Sequence, residues 1–138
     1  VRTYDPEVRD AVERRMRAIL DGITRAGGGT FDLQYDRGTP ATINDPELAR
    51  QMAPSLATVV GTDNVLELEP TMGGEDFAIF ANEVPGFFFR LGLLKLGSTS
   101  GGHHTPTFQA DDSSIRVGIR TMSRLLVDYL NAEASERE

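Results

Sequence analysis

Apolar residues near the start of the chain recur at the spacing of an amphipathic helix. Asp5 followed by Pro6 is typical of an N-cap and a first helical position. The glycine run that begins at Gly27 predicts the end of the helix. The apolar positions between these signals are Val8, Val12, Met16, Ile19 and Ile23. Because residues three and four apart share one face of a helix, we expect this face to be buried.

A second helix is predicted between Asp45 and Gly61. Asp45 again precedes a proline, Pro46, at the first helical position. The predicted buried stripe of this helix consists of Leu48, Met52, Leu56, Val59 and Val60. Pro54 lies inside the span and predicts a kink or a break, because proline has no N–H and clashes with the preceding turn.

Two further helices are predicted in the second half of the chain. A glycine turn at residues 73–74 leads into a helix that extends to residue 83, in which we expect Phe77, Phe80 and Ala81 to face inward. Asp112 or Ser113 is predicted to cap the last helix. The buried stripe predicted for that helix consists of Ile115, Ile119, Met122, Leu126 and Tyr129.

Extended segments are predicted between these helices. Residues 31–36 alternate apolar and polar side chains, which indicates a half-buried strand, and residues 65–68 predict a shorter one. Residues 2–4 resemble the end of a strand. The aromatic run in residues 86–91 predicts a strand that is buried on both faces. Strands that alternate with helices predict an α/β fold.

The chain is predicted to contain two domains and a tail. Glycine and proline in residues 37–40 interrupt both periodicities, which favours a boundary there. Residues 1–40 are expected to form part of one domain, residues 41–132 part of a second, and residues 133–138 a charged tail. Because the chain opens at Val1 within an extended segment, we expect it to be a piece of a longer protein.

Charge and composition exclude several classes of function. The chain has 138 residues and a net charge of −7. Nucleic-acid-binding proteins instead present a basic surface to the phosphates. It has no cysteine, which excludes a disulfide framework and a thiolate zinc site. No apolar run reaches the length of a membrane span, and no signal peptide is evident. We therefore expect no nucleic-acid or membrane partner, and a cytoplasmic location.

Two segments carry candidate chemistry. His103 and His104 lie side by side in a glycine-rich segment, and imidazole is suited both to metal binding and to proton transfer. The alternative is a solvated surface loop. Two histidines do not make a metal site by themselves, because a catalytic zinc takes about three protein ligands. Gly74 and Glu75 precede a predicted helix, where exposed N–H groups suit a substrate carboxylate. The alternative is a tight turn followed by an acidic residue that stabilises the helix.

Five short motifs occur in the order that is typical of one family of hydrolases. They are Val1–Arg9, Thr42–Leu48, Gly73–Ala78, Pro85–Gly92 and His104–Phe108. In this order they resemble the metal-dependent amidohydrolase and exopeptidase family of hippurate hydrolase, N-acyl-amino-acid amidohydrolase and the carboxypeptidase-like aminoacylases. The resemblance covers nearly the whole chain. It implies the C-terminal half of a zinc-exopeptidase-like α/β catalytic domain plus part of a two-layer α/β lid, or dimerisation, domain.

The resemblance also implies roles for individual residues. It implies that His104 ligates a metal, and that His103 is an alternative ligand or contacts the substrate. It implies that Gly74 and Glu75 line the substrate cleft. The family uses divalent metal, normally two ions of zinc, manganese or cobalt, to hydrolyse amide bonds in N-acyl amino acids or small peptides.

The other elements of such a site have no counterpart in residues 1–72. The resemblance places further ligands and a glutamate general base in an N-terminal part, so no catalytic residue is assigned in this chain. We therefore expect the isolated chain to be inactive, and both metal-bound and metal-free states are compatible with its sequence. The alternative is a non-enzymatic α/β interaction module or an inactive remnant. A cut through a sheet leaves an unpaired edge, which predicts a homo-oligomer.

Overall fold

The structure is a computed structural model that describes residues 1–135, and it is built from helices. Within these residues the α-helices are α1 (Pro6–Ala26), α2 (Pro46–Val60), α3 (Phe77–Ala81) and α4 (Ser113–Ser135), with a 3-10 helix at Thr62–Asn64. The chain divides into two compact units. The first consists of residues 1–43 and 69–86, and the second of residues 44–68 and 87 onward.

The α/β fold predicted from the sequence is wrong for this structure. No β-strand is present in residues 1–135. The predicted strands at residues 31–36, 65–68 and 86–91 are irregular segments, and none of them is paired in a β-ladder. An alternating pattern favours an extended backbone, but a strand also needs a neighbour that accepts and donates its backbone hydrogen bonds. In the segment at residues 65–68, Leu66 has an exposed fraction of 72%.

Helix α1 has the predicted ends but not the predicted burial. The carboxylate of Asp5 accepts a hydrogen bond of 2.7 Å from the N–H of Glu7, which confirms the N-cap. At the other end, the N–H of Gly27 donates to the carbonyl of Ile23. No residue of α1 is buried, and Ile19 and Ile23 are exposed. The capping signals are local and are therefore confirmed, whereas the buried apolar face is not.

Helices α2 and α4 pack together and form the core of the second unit. The core consists of Met52 and Leu56 from α2 and Leu125 from α4, with four partly buried side chains packed against it: Leu48, Val65, Phe87 and Phe89. Met52 and Leu56 belong to the stripe predicted for α2, so the predicted burial of these two residues is confirmed. Helix α2 continues through Pro54 to Val60, and the predicted break does not occur.

Helix α4 buries a different face from the one predicted from the sequence. Its buried residues are Ser114, Thr121 and Leu125. The predicted stripe lies about 100° around the helix from this face, and four of its members are 58–63% exposed: Ile115, Ile119, Met122 and Leu126. The face that contacts α2 is thus chosen by packing rather than by the strongest apolar periodicity.

Helix α3 is shorter than predicted and buries a different residue. It contains five residues and has Ala78 fully buried, whereas Phe80, expected to face inward, is exposed. Gly86 lies close to α3, since a Cβ there would be 3.0 Å from the Cβ of Ala81. No helix in the described part of the chain is long and apolar enough to cross a membrane.

Candidate functional site

The two histidines lie at the tip of a four-residue turn in the second unit. The N–H of Thr105 donates a hydrogen bond of 3.3 Å to the carbonyl of Gly102, so Gly102 and Thr105 close the turn around His103 and His104. His104, at the third position, has a φ of +64° and is the only residue other than glycine with positive φ in residues 1–135. Type II turns require positive φ at this position, which favours glycine or asparagine. A histidine here is strained, and such strain is concentrated at functional sites.

A longer loop, residues 100–109, encloses this turn, and we call it the histidine loop. The N–H of Gly101 donates to the carbonyl of Thr107 at 3.0 Å, which joins the two arms of the loop. At the two ends of the loop, the N–H of Gln109 donates to the hydroxyl of Ser100 at 2.7 Å. The loop is therefore closed by its own hydrogen bonds, although its side chains are largely exposed.

The two imidazoles of the histidine loop have different surroundings. The ring of His103 contacts the ring of Phe108 edge-on, with centroids 5.3 Å apart. The rings of His103 and His104 are nearly perpendicular, with centroids 6.5 Å apart. Zinc–nitrogen bonds are about 2.0–2.1 Å long, so two imidazoles on one tetrahedral ion have centroids roughly 5 Å apart. As arranged, the two rings therefore do not share one ion.

Asp111 follows the histidine loop and lies two residues before the first residue of α4. Its carboxylate accepts a hydrogen bond of 2.8 Å from the N–H of Ser113 and lies 3.0 Å from the ammonium of Lys95. The Ser113 N–H first, and Lys95 second, lower the pKa of Asp111 to about 2. The sequence suggested Asp112 or Ser113 as the cap of this helix. The Asp111 carboxylate is instead used at the helix start.

Gly74 and Glu75 lie in the first unit. The carboxylate of Glu75 accepts a hydrogen bond of 3.3 Å from the N–H of Phe77, at the start of α3. A Cβ at Gly74 would lie 3.6 Å from the hydroxyl of Thr39, an ordinary contact, so glycine is not required there for space. Glu75 thus has the helix-stabilising contact that was the alternative interpretation. The cleft role of both residues stays a prediction.

Each of the two units contains a small cleft among the described residues. The first, of about 150 Å³, is lined by Thr3, Tyr4, Pro6, Arg9, Pro40, Ala41, Ile43 and Asn82. The second, of about 140 Å³, is lined by Gly92, Leu93, Leu94, Lys95, Asp111, Ser113, Ser114 and Val117. None of the four predicted site residues lines either cleft. These clefts therefore do not support a substrate pocket at the predicted positions.

The described residues do not assemble a complete metal site. Nowhere in residues 1–135 do three or more His, Asp or Glu side chains come together in a group that could hold an ion. A catalytic metal needs about three protein ligands. A centre that includes His104 would therefore need ligands from outside residues 1–135.

Asn44 lies directly before the N-cap of α2 and contacts a segment that is distant in the chain. Its side-chain amide donates to the carbonyl of Phe88 at 2.8 Å and accepts from the N–H of Phe88 at 2.7 Å. The aromatic run around Phe88 is held here by a side chain rather than by a neighbouring strand. No sequence pattern signals such a pairing, because the two residues are far apart in the chain.

Comparison with known proteins agrees with the motif order. The sequence profile described as peptidase family M20/M25/M40 matches residues 4–128. The putative amidohydrolase YhaA of Bacillus subtilis is 29% identical over 129 residues, which are 93% of this chain and 33% of the relative. The N-acetylcysteine deacetylase of the same organism is 32% identical over 130 residues, 94% of this chain and 33% of the relative. Thermostable carboxypeptidase 1 of Saccharolobus solfataricus is 29% identical over 134 residues, 95% and 33% of the two chains.

These relatives confirm the resemblance to the amidohydrolase and exopeptidase family. Their names are those of hydrolases, and peptidases of this family are generally metal-dependent. The chain spans about a third of the length of each of these relatives. No solved structure matches the chain.

Proposed function

Because the chain belongs to peptidase family M20/M25/M40, we propose that it is one part of a hydrolase of amide bonds. The substrates proposed are N-acyl amino acids or small peptides. In the net reaction water adds to the amide carbonyl carbon, the carbon–nitrogen bond breaks, and the amine leaves with a proton. The family match over residues 4–128 is the observation that carries this proposal.

His104 is the residue of this chain that we propose as a metal ligand. Its positive φ supports the assignment, because a glycine or an asparagine would satisfy the turn at a lower cost. The ions proposed are zinc, manganese or cobalt, normally two in the whole protein. The remaining ligands and the general base would come from outside this chain, since residues 1–135 bring no three such side chains together.

His103, Gly74 and Glu75 are proposed to contact the substrate. His103 is next to the proposed ligand, and its ring is held against Phe108. Gly74 and Glu75 precede α3, where a substrate carboxylate could replace the present contact of Glu75 with the N–H of Phe77. All three are exposed, which leaves them accessible to a small molecule.

We further propose that the isolated chain is inactive. The supporting observation is again that the described residues assemble no three-ligand group. The same observation favours a second candidate, a non-enzymatic interaction module or inactive remnant of the hydrolase family.

We also propose that the protein is a cytoplasmic homo-oligomer without nucleic-acid or membrane partners. The exposed apolar stripe of α4 supports self-association. The net charge of −7 is unfavourable for binding nucleic acid.

Two assays test the proposed function. The purified chain is incubated with N-acetylcysteine and with a dipeptide in the presence of zinc, manganese or cobalt, and no turnover is expected. In a chimera, this chain replaces the matching third of the Bacillus subtilis N-acetylcysteine deacetylase. The chimera is expected to be active with divalent metal, and His104→Ala is expected to reduce that activity to background.

The two candidates give different outcomes in the chimera. An active chimera that loses activity with His104→Ala, but retains it with an exposed control substitution such as Asn131→Ala, supports the hydrolase. A folded chimera without any activity favours the non-enzymatic candidate. Metal-dependent turnover by the 138-residue chain alone would refute the proposed inactivity.

A further inference from the structure

Gly101 is the most tightly enclosed glycine in the structure. A Cβ at this position would lie 2.2 Å from the hydroxyl of Thr107, 2.4 Å from the hydroxyl of Thr105 and 3.0 Å from the carbonyl carbon of Thr107. Real Cβ atoms do not come within 2.2 or 2.4 Å of another atom, so both threonine hydroxyls would have to move. The backbone contact at 3.0 Å is tighter than most real Cβ contacts, and a backbone atom cannot rotate away. Since the φ of Gly101 is outside the left-handed region, glycine is needed here for space and not for conformation.

This close approach holds the two arms of the histidine loop together. Gly101 donates its N–H to the carbonyl of Thr107 at 3.0 Å, and Thr105, the last residue of the turn, lies two residues before Thr107. The hydroxyl of Thr105 donates to the carbonyl of Gly102 at 2.7 Å and lies 3.5 Å from the hydroxyl of Thr107. A side chain at residue 101 would push the arms apart at the base of the turn that contains His104.

We propose that Gly101 is a positioning residue for His104. By allowing the loop arms to touch, it keeps the Gly102–Thr105 turn closed, His104 at positive φ and His103 against Phe108. The direction of the Cα–Cβ bond of His104 is then fixed before any ligand arrives, which lowers the entropy lost on binding. This inference rests on the proposed role of His104 for its functional meaning, but its structural content can be tested by itself.

Gly102 provides a matched control beside Gly101. A Cβ at Gly102 would meet no atom within 4 Å, and its φ is also outside the left-handed region. Gly101→Ala and Gly102→Ala therefore add the same methyl group to adjacent residues of one loop. They carry the same loss of flexibility in the unfolded chain and differ in whether the methyl group fits.

The first measurement is NMR spectroscopy of the metal-free 138-residue chain. Scalar couplings report the φ of His104, and amide exchange reports the Gly101 hydrogen bond. We expect the wild type and Gly102→Ala to keep positive φ at His104 and a protected Gly101 N–H. In Gly101→Ala we expect the φ of His104 to leave the left-handed region and the amide protection to fall several-fold, with the helical circular dichroism unchanged.

The second measurement adds zinc alone and follows the ring nitrogens of the two histidines. In the wild type and Gly102→Ala, the zinc-induced shift is expected to be several-fold larger at His104 than at His103. In Gly101→Ala the loop opens and frees His103 from Phe108, so the two adjacent rings are expected to share the ion about equally. A general loss of stability would not redistribute the shift between the rings.

The double variant Gly101→Ala/Thr107→Gly removes the closest of the three contacts. It is expected to move the φ of His104 and the zinc response back toward the wild type, and it decides the matter if Gly101→Ala folds poorly. The inference is overturned if Gly101→Ala matches Gly102→Ala, or if the double variant is no closer to wild type than Gly101→Ala. If zinc does not shift His104 in the wild type, the proposed ligand role fails, while the metal-free data still decide the role of Gly101.

Discussion

The side-chain amide of Asn44 makes two hydrogen bonds to the backbone of Phe88, one to its carbonyl at 2.8 Å and one from its N–H at 2.7 Å. This is the pairing that one residue of a neighbouring strand would provide. The two bonds fix the segment that follows residue 86 next to the start of α2. Two of the aromatic side chains of that segment, Phe87 and Phe89, then pack on the core of the second unit.

Asn44→Ala is expected to lower the free energy of unfolding by about 2 kcal/mol, since two hydrogen bonds are lost at about 1 kcal/mol each. Asn44→Asp keeps the shape and one acceptor, but it puts an acceptor against the carbonyl of Phe88, and we expect it to destabilise as well. Urea unfolding followed by circular dichroism measures both. Asn131→Ala on the exposed side of α4 is the control, and equal midpoints for Asn44→Ala and Asn131→Ala would contradict the pairing.

Leu125 and Leu126 are adjacent, and only Leu125 belongs to the core. We expect Leu125→Ala to cost about 2–3 kcal/mol, because it leaves a cavity between α2 and α4. Leu126→Ala is expected to change the stability by less than about 0.5 kcal/mol, as is usual for exposed positions. The apolar periodicity of the sequence predicts the reverse order. Thermal or urea unfolding of the two variants therefore distinguishes the packing in the structure from the pattern in the sequence.

Asp111 gives the start of α4 a dependence on pH. Its pKa in the folded chain is lowered to about 2, mainly by the Ser113 N–H. A carboxyl whose folded pKa lies below its unfolded value stabilises the fold above the unfolded pKa, and this contribution is lost as the pH falls. We expect the loss to occur as the pH falls from about 4 toward 2.

Urea unfolding of the wild type and Asp111→Asn between pH 6 and pH 2 tests this dependence. The asparagine oxygen still accepts from the Ser113 N–H, so the variant keeps the hydrogen bond without the ionisation. The difference in stability between the two chains is expected to shrink as the pH falls below about 4. A difference that stays constant over this range would show that Asp111 does not contribute through its charge.

The strain at His104 predicts opposite effects for the same substitution at adjacent positions. Glycine accepts the left-handed region without steric cost, so we expect His104→Gly to leave stability unchanged or raise it by up to about 1 kcal/mol. At His103 the φ is not positive and the ring contacts Phe108, so His103→Gly is expected to lower stability. Unfolding midpoints of the two variants provide the comparison. If His104→Gly is the more damaging of the two, the turn does not impose strain on His104.

The exposed stripe of α4 predicts how the chain associates with itself. Ile119 and Met122 lie on this stripe, which is the same in every copy and can pair with itself about a two-fold axis. We expect Ile119→Lys to lower the mass measured by light scattering after size-exclusion chromatography. Asn131→Lys adds the same charge to α4 away from the stripe and is expected to leave the mass unchanged. A monomeric wild type would refute the proposed homo-oligomer.

The ends of α1 and α2 were predictable from the sequence because capping depends on neighbouring residues only. Asp5 before Pro6, and Asp45 before Pro46, place side-chain acceptors beside the first free N–H groups, and both helices begin at the predicted residue. The motif order likewise sufficed to recognise the hydrolase family, which the profile match over residues 4–128 confirms. It also singled out the two histidines as candidate chemistry.

The buried faces and the pairing of extended segments were decided only by the tertiary structure. Apolar periodicity says that a helix has an apolar side, but which residues are buried depends on contacts with distant segments, as Leu125 and Ile119 of α4 illustrate. Alternation in residues 31–36 favours an extended chain, yet a strand exists only where a partner supplies the ladder. The positive φ of His104 and the space that Gly101 leaves for Thr107 also follow from closure of the loop. Such closure joins residues through the geometry of several hydrogen bonds at once, which no local pattern encodes.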